Sequence, residues 1–390
     1  SRETTADGIQ LAALIKNSQA TVMQATPATW RLLIEAGWPG NPNLKIFCGG
    51  EALTRKLADE LLSRANEIWN LYGPTETTIW SAAWKVLPEK PISIGRPVAQ
   101  TQFYILDKNL QPVPICVPGE LHIGGDGLAR GYFNRPELTS EKFIPNPFVH
   151  GQKIYKTGDL ARYLPDGTVE CLGRSDHQVK IRGFRIELGD IESALRQNTA
   201  IKEALVMARE DVPGDKRLVA YLATQNATPL LVPELRDFLK TKLPEYMVPS
   251  SFVFLEKFPL TPSGKIDRKA LPAPEQTRPV LGKQFVAPST PLEIDVAQIW
   301  SDVFRIDKIG RDDNFFELGG HSLLAIQIIA RIRQKLGIEL PLPEIFKAPT
   351  VGRLVETILE MLLARVNDED TSLKWLDEIS DDEAKQLLEK

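Results

Sequence analysis

Residues 272–290 (PAPEQTRPVLGKQFVAPST) contain four prolines, and the hydrophobic pattern changes character across them. Proline fixes φ and has no backbone N–H, so such a stretch sustains neither a helix nor a strand ladder. It reads as a linker. Before it, short apolar runs alternate with helical spacing. After Pro291, the segments LEIDVAQIWSDVF, SLLAIQIIARIRQKL and VGRLVETILEMLLARV all repeat apolar residues at three and four. The chain therefore divides into a mixed body and a small helical bundle. Its 390 residues suit two or three domains at roughly 150 residues each.

Composition narrows the functional class. Hydrophobic residues make up 43%, charged residues 25% and aromatics 7%, an ordinary globular mix that excludes collagen-like, mucin-like and wholly disordered chains. Forty-seven Lys+Arg against 51 Asp+Glu give a net charge of −4, which argues against a general grip on nucleic acid. No run of about 20 apolar residues is present. The start, SRETTADGIQ, has no signal-peptide pattern. The three cysteines, Cys48, Cys116 and Cys171, are odd in number and far apart. They suggest neither a disulfide framework nor a metal knuckle, and a reducing cytoplasm is the default expectation.

Within the body, TVMQATPATW reads as a strand with Pro27 opening a helix. NLKIFCGGEAL and EIWNLYGPTETT each read as a strand ending in a polar loop. That pattern predicts an α/β layer with ligands at the strands' carboxyl ends. Residues 91–172 (QFYILD, GELHIGG, TVECLG) predict an antiparallel sheet or small barrel. Residues 173–275 return to mixed α+β.

Five motifs carry polar chemistry. In NLYGPTETT, Tyr72 offers a stacking ring, Thr75 a hydroxyl for phosphate and Glu76 a carboxylate for magnesium; the alternative is a turn capped by Thr75 or Thr77. In YKTGDLARY, Asp159 follows a glycine turn and suits a ribose diol, unless it satisfies its own turn. In GRSDHQVKIRGFRIELGDIE, basic residues alternate along a strand, and Asp176 stands at a change of pattern that suits a hinge. In PLTPSGKIDRKAL, Lys265 lies on a Pro/Gly-framed loop, with no upstream glycine for a P-loop. In DNFFELGGHSLLAIQI, Ser322 opens an apolar helix, either as a plain N-cap or as a modified serine. No glycine follows Ser322 at the spacing of a nucleophile elbow, which disfavours a hydrolase.

Taken together, these motifs resemble the adenylation domain of a nonribosomal peptide synthetase followed by a peptidyl carrier domain. NLYGPTETT, GELHIGGDGLARGYFNRPELT, YKTGDLARY, GRSDHQVKIRGFRIELGDIE, LPEYMVPSSF, PLTPSGKIDRKAL and DNFFELGGHSL stand in the family's order. The resemblance implies a multidomain α/β + β + α architecture. Residues 1–172 would be the back part of the adenylation core, an α/β layer with a β-barrel-like subdomain. Residues 173–275 would be an α+β C-terminal subdomain hinged near Asp176, 276–290 a linker, 291–365 a four-helix carrier and 366–390 an acidic tail. The family's front half, with its phosphate loop, is expected to be missing from these residues. Alone, they would accept phosphopantetheine but adenylate poorly.

The resemblance also implies roles. An amino acid and ATP form an aminoacyl-adenylate, which the phosphopantetheine thiol on Ser322 captures as a thioester. Tyr72 would stack on adenine, in a pocket lined by Gly49, Gly50 and Glu51. Thr75 would contact phosphate, Glu76 magnesium, and Asp159 the ribose hydroxyls with Arg174 nearby. Lys265 would bridge the substrate carboxylate and the adenylate. Rotation at Asp176 would bring Lys180–Gly183 to the cleft, where Gly183 passes the pantetheine arm close to the backbone. Gln24, Phe47, Gly49, Leu71, Ile79 and Trp80 would line the amino-acid pocket. Four of these are large and none is charged, so glycine is the expected substrate and alanine the next.

Expected partners are a phosphopantetheinyl transferase and neighbouring condensation or other synthetase domains, with no nucleic acid and no membrane. Two rival readings remain: a non-catalytic carrier or scaffolding fragment, and an acyl-CoA ligase. The GGHSL bundle argues against the ligase; Glu76, Asp159 and Lys265 argue against the scaffold. The tail from Asp368 carries nine acids and three lysines and reads as a docking helix or a frayed linker.

Overall fold

The computed structural model describes residues 4–5, 7–176, 178–181, 183–211, 216–224, 231–262, 264–274, 284–320 and 322–366, without the side chains of 322, 323, 365 and 366. The acidic tail and most of the proline-rich linker lie outside the described residues. The chain forms two compact units: Gly8–Glu187, and Leu188–Lys390 with Ser1–Asp7.

In the first unit, β1 (Val22–Ala25), β2 (Lys45–Gly49) and β3 (Glu67–Tyr72) run parallel, and β4 (Ala82–Lys85) and β5 (Arg96–Pro97) extend the sheet antiparallel. The helices α1 (Gly8–Asn17), α2 (Pro27–Glu35) and α3 (Arg55–Leu62) belong to the same layer. Their apolar stripes meet the sheet in a core that contains Leu11, Trp30, Leu33, Ile46, Leu57, Leu61 and Ile68. Thr26 caps α2 through Thr29 N–H, with Pro27 at the first position. The parallel strands end at Ala25, Gly49 and Tyr72. Their polar loops therefore share one edge, where open α/β sheets bind ligands.

The same unit holds an antiparallel sheet in the order β10 (Val169–Arg174), β9 (Lys153–Tyr163), β7 (Gly119–Gly125), β6 (Thr101–Leu106). A short strand, β8 (Phe143–Pro145), follows α4 (Pro136–Lys142) and also pairs with β9. Phe103, Ile105, Leu121, Ile123, Ala161 and Val169 form its core, against which Tyr72 packs.

The basic run at 178–187 differs from the expected single strand. It is an antiparallel hairpin, β11 (Gln178–Ile181) and β12 (Phe184–Glu187), with Lys180 opposite Arg185. The compact first unit extends through Glu187 and so includes this hairpin. The reason is local: Gly183 and Arg185 are both bonded to strand-end loops of the first unit.

In the second unit, α5 (Leu188–Arg196) leads into the sheet β13 (Ile201–Arg209), β14 (Arg217–Thr224) and β15 (Ser251–Leu255), with α6 (Val232–Lys240) between β14 and β15. The first two strands are antiparallel and the last two parallel. Leu205, Val219, Tyr221, Phe258 and Leu271 are buried together, with Ile266 packed against them.

Among the described residues four helices follow: α7 (Pro291–Phe304), α8 (Ser322–Leu336), α9 (Leu342–Lys347) and α10 (Val351–Val366). Trp300 and Phe315, both fully buried, meet edge to face at 5.7 Å in their core. The loop before Ser322 is tied to α6 by the Arg236 guanidinium, which donates to Phe316 O and Ser250 O at 2.7 Å each.

The start of α7 is a complete capping box. Thr290 Oγ1 accepts from Glu293 N–H, and the Glu293 carboxylate accepts from Ser289 and Thr290 N–H and from Arg311 at 2.6 Å. Burial alone would raise the Glu293 carboxyl, but these donors outweigh it and hold it below the usual range. Its contribution is therefore fully present above the ordinary glutamate pKa and is lost as pH falls through the depressed folded value. Glu293→Gln should cost the bundle about 1–2 kcal/mol near neutrality. The deficit relative to wild type should shrink below about pH 4. Hydrogen exchange of the α7 amides across that range checks this; a deficit that does not change with pH would refute it.

Candidate functional site

The site in the first unit is built on the carboxyl ends of β2 and β3 and on the middle of β9. Gly49, the last residue of β2, pairs with Leu71 of β3. A Cβ at Gly49 would lie 2.5 Å from the Trp80 ring and 2.7 Å from Leu71 O. The close approach needs glycine here, and the Trp80 indole floors the space beside it. Phe47 pairs with Gln24 across β1 and β2. Leu71 is buried, Phe47 and Trp80 are half-buried, and Gln24 is exposed. Ile79 was expected to fill the same space but is 63% exposed. The φ of +66° at Ile79 turns the chain just before Trp80.

The Thr75–Thr77 segment is a single 3-10 turn capped by Pro74 without a side-chain bond. Thr75 is not a helix cap, and it is exposed. Thr77 is used internally, 2.6 Å from the Ser81 hydroxyl. Glu76 is 5% exposed. Its Oε1 accepts from the Tyr132 hydroxyl and from Arg185 Nη1, both at 2.6 Å. Its Oε2 is buried without a hydrogen-bond partner. Burial alone would raise the Glu76 carboxyl, but Tyr132 and Arg185 outweigh it and hold it below the usual range. A buried, ionised carboxylate with one open oxygen fits a hard divalent cation that keeps substrate phosphates among its ligands.

Asp159 does not follow a tight turn. It lies inside β9, where the pairing register with β7 shifts between Glu120 and His122. That bulge re-aims the side chain. The Tyr72 hydroxyl donates to Asp159 Oδ2, and Arg174 Nη1 donates to Oδ1 at 2.8 Å. Burial, then the neighbouring Asp159 charge, raises the Tyr72 hydroxyl, so it stays a proton donor. Arg174 also grips Asp176 through two bonds of 2.7 Å. Asp159 and the expected hinge residue thus share one guanidinium. A carboxylate offers about four lone-pair sites, so Asp159 retains acceptor capacity for a diol.

The hairpin completes the cluster. Gly183 N–H donates to Glu51 Oε1 at 2.7 Å. Its φ is +78°, and a Cβ there would come within 3.0 Å of the Thr26 side chain. Gly50 lies on the same edge, with φ +90°. Burial lowers the Lys180 ammonium on the partner strand, offset in part by Asp159.

The structure thus brings Gly49, Gly50, Glu51, Tyr72, Glu76, Asp159, Arg174, Asp176 and Gly183 into one unit. Lys265 and Ser322 belong to the other. Lys265 is exposed on a turn in which Thr261 N–H donates to Lys265 O at 2.7 Å. Ser322 is the first residue of the 15-residue helix α8, where the N-terminal potential favours an incoming phosphate; its side chain lies outside the described residues. Sequence reading missed Tyr132, Tyr155 and Arg185 around Glu76. All three lie within the motifs named above, but nothing local linked Tyr132 and Arg185 to a carboxylate 56 and 109 residues away.

The AMP-binding enzyme family matches residues 1–133, the AMP-binding enzyme C-terminal domain residues 190–265 and the phosphopantetheine attachment site residues 295–358. The dimodular nonribosomal peptide synthase of Bacillus subtilis strain 168 is 47% identical over 90% of this chain and 15% of its own length. Tyrocidine synthase 3 of Brevibacillus parabrevis is 46% identical over 92% of this chain and 6% of its own. The solved structure of holo-PA1221, a synthetase protein containing adenylation and PCP domains bound to a vinylsulfonamide inhibitor, matches with a TM-score of 0.73. It is 29% identical, over 90% of this chain and 59% of that one. The chain thus spans a small part of the curated relatives it matches. No helix among the described residues is long and apolar enough to cross a membrane. Three domain families in this order, on this fold, place the chain in the nonribosomal peptide synthetase family, as adenylation-domain sequence joined to a carrier domain.

Proposed function

We propose that the intact protein activates an amino acid as its adenylate and loads it onto a phosphopantetheine arm at Ser322. The observation that carries this reading is Glu76: a buried, ionised carboxylate with an open oxygen, just past the end of the strand whose Tyr72 hydroxyl reaches the Asp159–Arg174 pair on the second sheet. When bound, ATP supplies the adenylyl group and a pyrophosphate leaving group, magnesium supplies charge neutralisation, and phosphopantetheine supplies the thiol.

The chain's own residues bind and orient. Glu76 would hold the cation, and the exposed Thr75 hydroxyl would contact phosphate. Asp159 accepts from the ribose hydroxyls, and Tyr72 offers its ring to adenine. Gly49, Gly50 and Glu51 border that pocket. Lys265 places its ammonium between the substrate carboxylate and the reacting phosphate. Rotation near Asp176 exchanges Lys265 for the hairpin, and Gly183 leaves room for the arm. Phosphopantetheine attached at Ser322 would supply the thiol that accepts the acyl group, with AMP as the leaving group. Residues 1–172 serve as core, 173–275 as the mobile subdomain and 291–365 as the carrier.

Glycine is the substrate, with alanine next. The support is Trp80 packed on Gly49 beside Leu71, large apolar groups that provide no charge to pair with a side chain. A phosphopantetheinyl transferase and neighbouring condensation domains are the partners. The test is mass spectrometry of the intact protein. After treatment with a transferase and coenzyme A, a phosphopantetheine adduct should appear on Ser322. ATP and competing amino acids should then add a glycyl group in preference to others. An adduct that takes up no amino acid would overturn the adenylation reading, and preferential loading of a bulky or charged amino acid would overturn glycine.

A further inference from the structure

Arg185 is the feature that the reaction scheme above does not use. It lies on β12, one residue short of the buried Ile186 that anchors the strand. Its guanidinium reaches Glu76 Oε1 at 2.6 Å and lies 3.4 Å from the Tyr155 hydroxyl. The Tyr132 hydroxyl bonds the same Glu76 oxygen. The Glu76 side chain is 7% exposed, so its charge needs a partner when water is excluded. With the hairpin seated on Glu51 through Gly183, that partner is Arg185.

We propose that Arg185 is a positioning residue that takes over Glu76 from magnesium, making hairpin docking and metal binding compete for one carboxylate. The inference rests on the adenylation reading and deepens it. Two cations next to one buried carboxylate repel each other strongly in a medium of reduced dielectric. With magnesium and the ATP phosphates present, Arg185 is driven off and the hairpin loses one of its two carboxylate anchors. Once pyrophosphate has carried the metal away, Glu76 is left buried and unpaired, and Arg185 restores its partner. The hairpin then seats on Glu51 and Glu76 together. Departure of the first product thereby sets the geometry for the second step. By linkage, each cation weakens the other to the same degree.

The test uses manganese as the probe, titrated into the intact protein with ATP but no amino acid and followed by electron paramagnetic resonance. Arg185→Met should bind manganese about tenfold more tightly than wild type, because the competing cation is gone. Arg185→Lys, which keeps the charge, should lie between them. Hydrogen exchange at residues 183–187 of the wild type should rise when manganese and ATP are added, and in Arg185→Met it should be fast with or without them. Unchanged manganese affinity in Arg185→Met, with far-UV circular dichroism unchanged, overturns the proposal. So does a wild-type hairpin whose exchange ignores the metal. Glu76→Gln separates the two readings. If it abolishes manganese binding while Arg185→Met leaves binding at the wild-type level, only the competition fails. If wild type and Glu76→Gln bind manganese equally, the assignment of Glu76 as metal ligand fails and the competition with it.

Discussion

Lys265→Ala in the intact protein is expected to lower amino acid–dependent pyrophosphate exchange by about 10²–10³ in rate, as loss of one charge-stabilising group does at other transition states. The structural cost should be small. Lys265 is exposed, and its turn is held by backbone and Thr261 hydrogen bonds that an alanine leaves in place. The next residue, Ile266, packs into the core of the second unit, so the loop keeps its anchor. Phosphopantetheine attachment to Ser322 should proceed at the wild-type rate. The paired measurement makes the result specific: exchange lost with attachment intact locates the defect in adenylation. Exchange within a factor of about three of wild type would remove Lys265 from the reaction, since a transition-state contact of this kind contributes more than that.

Gly49→Val should damage stability and specificity together. The added Cβ meets a backbone oxygen, Leu71 O, as well as the Trp80 ring. Rotating one side chain away cannot relieve the contact, and overpacking of this kind costs about 1–3 kcal/mol. Trp80→Ala should instead open the pocket and let larger apolar amino acids compete with glycine. Combining Gly49→Ala with Trp80→Ala should recover part of the stability lost by Gly49→Ala alone, because residues in contact couple. Denaturant midpoints and amino-acid competition in exchange assays measure the two effects. A fully additive double variant would mean that the ring contact does not set the cost.

Much of this fold was legible because its signals are local. The apolar runs that became β2 and β3 are short and end in glycine or a polar loop, so their type and the position of their ends followed from the pattern. The helices after Pro291 repeat at three and four, and Thr290 three residues before Glu293 announces the start of α7. The run at 178–187 was less legible. Alternating basic residues fit one long strand or two short ones, and only the turn at Gly183 separates β11 from β12. Asp159 was placed after a turn because Gly158 suggests one. The chain instead runs through a bulge, since β9 pairs on both sides of it with β7 and β10.

The sequence by itself determined the order of the domain families and the identity of the polar residues at strand ends, because each depends on neighbours within a few positions. Tertiary structure decided what those residues touch. Nothing near Glu76 in sequence shows that Tyr132 and Arg185 converge on one of its oxygens and leave the other open. Nothing near Gly49 shows that an indole lies against it. Periodicity gives the face a side chain occupies. The partner on that face depends on how distant segments pack and on which buried charge needs an opposite one.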